Sequence, residues 1–148
     1  MNNQSKMNKW RHLFIDGEYE PRQKILSRLT LEQVKRTPSA QSHSIYEELW
    51  HADRWQTIIV ERDEALYESW QRGERYPMKP PEKEEEWSAL VGEFLQGLEK
   101  ALAWAASPEK LSVEVDPGVT MAEVLDSLAV HNAFHMGKIV AIKQLIGA

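Results

Sequence analysis

The sequence predicts an all-α protein built as a helix bundle. Three observations predict it. Apolar residues recur every three or four positions through nearly the whole chain. No alternating, β-branched run of strand length stands out. Capping signals divide the pattern into four helices of about 20–30 residues, joined by links short enough for neighbours to pack side by side. At 148 residues the chain can build one core and has nothing left for a second, so a single domain over residues 1–148 is expected.

The first helical region is expected over about residues 3–35, broken near "DGEYEP", where Gly17 and Pro21 interrupt it. The second helix opens at "SIYE". Ser44 caps it while Glu47 reaches back, and it is expected to run to about Arg72. The prolines of "GERYPMKPPEKEEE" end helical structure there. A third helix follows over about residues 83–106, carrying Trp87, Leu90, Val91, Phe94, Leu98 and Leu102 on one face. "SPEK" begins a short turn, with Ser107 as cap and Pro108 at the first helical position. The fourth helix opens at "TMAE", a second reciprocal cap, and is expected to end near Ile146.

Composition narrows the function. The chain is 42% hydrophobic and 28% charged, with a net charge of −5. That balance disfavours a nucleic-acid partner, which requires a basic face, and an anionic membrane surface. No stretch reads as a membrane span. The opening "MNNQSKMNKWRHLF" lacks the apolar core of a signal peptide. Cysteine is absent, so there are no disulfides, and the expected compartment is the cytoplasm. The chain also supplies no thiolate of its own, either as nucleophile or as metal ligand.

The last helix carries the most informative residues. At about 100° per residue, Val124, Leu128, His131, His135, Ile139 and Ile142 fall on one stripe. His131 and His135 therefore face the core one turn apart. On the second helix Leu49, Ala52, Trp55, Ile59 and Leu66 share an apolar arc, with His51 at its margin and Glu48 one turn before it. A buried imidazole nitrogen without a partner costs about 1–3 kcal/mol. A metal ion satisfies several at once, and His51 is the inward histidine of the neighbouring helix. Three imidazoles from two helices would leave open positions for water or substrate. The alternative is a set of core histidines satisfied by carbonyls, carboxylates or water. His43 reads as a loop residue and His12 as part of the partly exposed first helix. The six tryptophans read mainly as core, although Trp55 shares the arc of His51 and can wall a cleft.

"HSIYEELWHADRWQ" together with "VTMAEVLDSLAVHNAFHMGKIVAIKQLIG" resembles the DinB/YfiT-like superfamily, and the acidic-tryptophan start "EEEWSALV" fits as well. The resemblance spans essentially the whole chain, and the HxxxHxG pattern of the last helix is its most specific part. It implies an up-and-down four-helix bundle, DinB-like, holding a divalent metal on a histidine triad that falls on His51, His131 and His135. Zn²⁺ and Ni²⁺ both suit imidazole ligands. Some members of the family resemble thiol transferases using bacillithiol or mycothiol, and others are described as metal hydrolases.

Two chemistries and one non-catalytic reading follow. In thiol transfer the metal stabilises the thiolate of an external low-molecular-weight thiol, which attacks a small electrophile. In hydrolysis it activates water and needs a general base. The zinc-protease pattern places a glutamate directly after the first histidine, but here that position is Asn132. Glu48 and Asp53 lie near His51, and Glu48 is the better placed, either as base or as the carboxylate that orients an imidazole. A di-iron site is disfavoured because Leu128 stands where a second Glu-x-x-His unit needs its glutamate. The third reading is a bundle that binds a small molecule, or a stress-related interaction module, without catalysis.

Opposite the histidine stripe lie Val130, Ala133, Phe134, Gly137 and Ala141, so the last helix is apolar nearly all round. A homodimer with this face at or near the interface is expected, the alternative being that the N-terminal segment covers it.

Overall fold

The computed structural model describes residues 2–148. Helix α1 spans Asn3–Arg11 and continues through a π-helical turn at His12–Asp16. The short helices α2 (Arg22–Leu26) and α3 (Leu31–Lys35) follow, then α4 (Ile45–Glu61), α5 (Glu64–Gln71), α6 (Glu84–Ala105) and α7 (Pro108–Leu111). A small hairpin, β1 (Glu114–Asp116) and β2 (Val119–Thr120), leads into α8 (Met121–Ile146). The protein is an all-α bundle with α4 at its centre, packed against both α6 and α8.

The capping signals define the ends of the long helices. Ser44 Oγ accepts from the Glu47 backbone N–H and the Glu47 carboxylate accepts from that of Ser44, both at 3.1 Å. Thr120 and Glu123 repeat this arrangement at the start of α8. Ser107 caps α7, whose first residue is Pro108. A second, unexpected break at residues 27–30, where Arg28 takes a positive φ of 58°, separates α2 from α3, while the expected break of the first region falls between the π-helical turn and α2. There the buried Arg22 donates to the carbonyls of Gly17 and Leu13 at 3.0 and 2.9 Å.

Two expectations are corrected. The second helix does not run unbroken to Arg72. Arg62 adopts a left-handed conformation (φ 52°, ψ 48°) and closes α4, its N–H bonding the Ile58 carbonyl. Asp63 then caps a new helix by accepting from the Leu66 N–H at 3.0 Å. The bend lets α5 bring Trp70 against His51, with ring centroids 4.7 Å apart. The chain also contains a strand pair: "VEVDPGVT" forms an antiparallel hairpin that pairs Glu114 with Thr120 and Asp116 with Val119. Gly118 supplies the positive φ of 77° at its turn.

The buried apolar side chains form one cluster, including Phe14, Ile45, Leu49, Phe94, Leu98, Leu125, Leu128 and Ile139. A polar bridge crosses it. The fully buried Gln56 donates to the Phe94 carbonyl and accepts from Asn132 Nδ2, both at 2.8 Å, which ties α4 to α6 and α8. The far side of α8 is open within the chain. Val130, Phe134 and Leu145 are 71%, 59% and 72% exposed, so the N-terminal segment does not cover this face. Among the described residues, no helix is long and apolar enough to cross a membrane.

Candidate metal centre

Helix α4 contributes His51 and helix α8 contributes His131 and His135. The wheel positions hold: His135 is 3% exposed, His51 8%, and His131 is half-buried. The ring centroids of His51 lie 5.3 Å from His131 and 4.5 Å from His135, and the two rings of α8 are 4.5 Å apart. One nitrogen from each residue can be chosen so that all three lie within 4.8 Å of one another. Ligands about 2.1 Å from a shared ion stand about 3.0–3.4 Å apart, so small side-chain rotations close the triangle. The three histidines could therefore hold a metal ion.

Hydrogen bonds fix which nitrogens are free. His51 Nδ1 lies 2.9 Å from the Arg75 carbonyl oxygen. A carbonyl only accepts, so Nδ1 carries the proton and Nε2 keeps its lone pair. His135 Nδ1 donates to Glu48 Oε2 at 2.6 Å, leaving its Nε2 in the same state. His131 Nδ1 is buried and has no hydrogen-bond partner. Satisfaction by carbonyls and carboxylates thus accounts for one nitrogen each of His51 and His135 and for neither nitrogen of His131. An orphaned imidazole nitrogen within a cluster of three histidines is the chemistry of a cation site.

Electrostatics favour the ligating form. Burial pushes both His51 and His131 down to about 4, so they are neutral at pH 7. Burial alone would raise Glu48. The hydrogen bond from His135, with the charge of the nearby Lys138, outweighs it and holds the carboxyl below its ordinary value. Lys138 Nζ stands 3.7 Å from Glu48 Oε1. Glu48 is 2% exposed and engaged through both oxygens.

An aromatic wall surrounds the rings. Tyr76 stacks on His51 at 4.7 Å and on His43 at 3.9 Å, while Trp55 lies 6.2 Å from His131. His43 sits in the loop before α4, as expected, and pairs with Glu47. His12 is exposed and pairs with Glu18. Asp53 points away from the rings and lines a separate groove between α4 and α6. Sequence reasoning missed Trp70, Arg75 and Tyr76. The Arg75 contribution is a backbone carbonyl, which no side-chain pattern signals.

No curated protein and no solved structure matches the chain. The family model of the DinB superfamily matches residues 22–139. That span runs from α2 almost to the end of α8 and contains all three clustered histidines, and the chain belongs to the DinB superfamily.

Proposed function

We propose that the protein is a metal-dependent S-transferase that joins an external low-molecular-weight thiol to a small electrophile. The observation carrying this reading is the convergence of His51, His131 and His135, with the Nδ1 atoms of His51 and His135 engaged outward. A divalent metal, Zn²⁺ or Ni²⁺, supplies Lewis acidity that lowers the pKa of a thiol brought to it. The chain's own part is to present neutral imidazoles, to fix two of them through Arg75 and Glu48, and to limit water with Trp55, Trp70 and Tyr76. The thiolate sulfur forms a new C–S bond, the leaving group departs with its electron pair, and the thiol proton passes to solvent. With no cysteine in the chain, no internal thiol competes with the cosubstrate.

Hydrolysis is the second reading, and the state of Glu48 weighs against it. Glu48 is the carboxylate whose charge reaches both His51 and His131, yet its oxygens face His135 and Lys138 and its pKa is held low. A general base needs a pKa nearer the working pH and a free oxygen. The test is to load the protein with Zn²⁺ or Ni²⁺ and follow conjugation of 1-chloro-2,4-dinitrobenzene by several low-molecular-weight thiols, beside ester and amide hydrolysis without thiol. Metal-dependent conjugation without hydrolysis is expected. Hydrolysis without conjugation favours the second reading, and silence in both assays with metal bound favours the non-catalytic one.

The outward face of α8 is proposed to meet a second copy. Phe134 is 59% exposed on a stripe that also carries the small residues Gly137 and Ala141, which would leave room for a partner's ring across a two-fold axis.

A further inference from the structure

Beside the histidine cluster runs a cleft of about 700 Å³ bounded by α4, α5, the hairpin and α8. That volume lies within the range of small-molecule sites, about 300–1,000 Å³. None of the three histidines lines it, but Trp55 does, and the Trp55 ring is 6.2 Å from that of His131. Ser127, one turn before His131 on α8, lines it too. The cleft therefore leads towards the candidate metal centre along α8, with Trp55 between them.

Its chemistry is divided. Ile58, Ile59, Val115, Val119 and Val124 supply apolar wall, and Trp55 and Tyr67 supply aromatic faces. Around them stand the carboxylates of Asp63, Glu64, Glu68, Asp116 and Glu123, against the one cation Arg62. Asp63 and Glu123 are engaged as helix caps. Arg62 reaches the Val115 carbonyl at 3.5 Å. Among the described residues, Glu64, Glu68 and Asp116 have no ion-pair or side-chain hydrogen-bond partner. An apolar cavity rimmed by unpaired carboxylates attracts an apolar body bearing positive charge and repels an anion.

We infer that this cleft binds an amphipathic amine, its hydrocarbon or aromatic part against Trp55 and Ile59 and its ammonium group among Glu64, Glu68 and Asp116. As the electrophile-bearing substrate of the transferase this rests on the metal reading above, whereas binding of the amine itself does not.

The probes are 4-phenylbutylamine, 4-phenylbutanol and 4-phenylbutyrate, titrated calorimetrically into the full chain, metal-free and Zn²⁺-loaded, at about 20 and 200 mM NaCl. The amine is expected to bind at least about fivefold more tightly than the carboxylate at low salt, with the alcohol between, and the gap should narrow at high salt. Glu64→Gln/Glu68→Gln on the α5 side and Asp116→Asn on the hairpin side should each weaken the amine at least about threefold and leave the alcohol unchanged. All three positions are exposed, and circular dichroism confirms that the variants fold. Equal affinity for amine and carboxylate, or amine binding unaffected by both variants, overturns the inference. Metal content measured on the same samples separates the two readings: amine preference without bound metal supports the cleft alone, and bound metal without amine preference refutes the cleft alone.

Discussion

Glu48 and His135 face each other across the α4–α8 interface, Oε2 to Nδ1 at 2.6 Å, with both residues almost fully buried. They are 87 residues apart in sequence. The contact fixes the tautomer and orientation of a proposed metal ligand. Glu48→Gln keeps the shape and removes the charge. The expected result is a loss of Zn²⁺ affinity of about 10–100-fold, measured by competition with a chromogenic chelator. Unchanged affinity would leave Glu48 a mere neighbour.

Asp53 carries a pH signature away from the candidate metal centre. Burial, with the charge of Glu93 beside it, pushes its carboxyl up to about 7, against the pull of Arg54 and Lys100. One of its oxygens is buried without a partner. The folded state therefore holds this proton between about pH 4 and 7 while the unfolded chain releases it. Stability from this group is unaffected below about pH 4, declines as pH rises to about 7, and carries its full deficit above. Asp53→Asn is expected to match the wild type near pH 4 and to be more stable at pH 8 by at most about 4 kcal/mol. Urea unfolding at several pH values checks it, and a pH-independent difference contradicts it.

Gly97 is held by packing. A Cβ there would lie 2.2 Å from Gln56 Nε2 and 2.9 Å from its Cδ. Gln56 cannot swing aside without releasing the Phe94 carbonyl and the Asn132 amide. Gly97→Ala should destabilise the protein by about 1–3 kcal/mol, in spite of alanine's better helix propensity. Thermal or urea unfolding measures it.

The oligomer prediction uses Ala141, which is exposed on the outward stripe of α8 and well separated along the helix from His135. The wild type should scatter light as a dimer at micromolar concentration. Ala141→Glu places like charges opposite each other across the axis and should give a folded monomer. A monomeric wild type removes the proposed interface.

Much of the fold and of the site is legible in the sequence. Ser44 with Glu47, Thr120 with Glu123, and Ser107 with Pro108 act locally, through bonds within one turn, so reading residues in order finds them. The inward aim of His131 and His135 follows from helical period alone. The break at Arg62 was not legible in the same way, because an arginine in the left-handed region has no preference that announces it. Asp63 followed by Glu64 was the available signal, and the continuing apolar pattern through Leu66 masked it. The hairpin did carry a mark, Pro117-Gly118 between valines, but its strands are too short for an alternation to stand out. The Glu48–His135 pair, the Gln56–Asn132 bridge and the Arg75 carbonyl depend on which helices meet and at what height, which no single helix encodes.

The most direct test of the central claim is elemental analysis of untagged wild-type protein beside His135→Ala, each exposed to equal Zn²⁺ or Ni²⁺ and desalted. Close to one ion per chain is expected in the wild type and little in the variant, with both folded by circular dichroism. Equal metal content in the two proteins would contradict it.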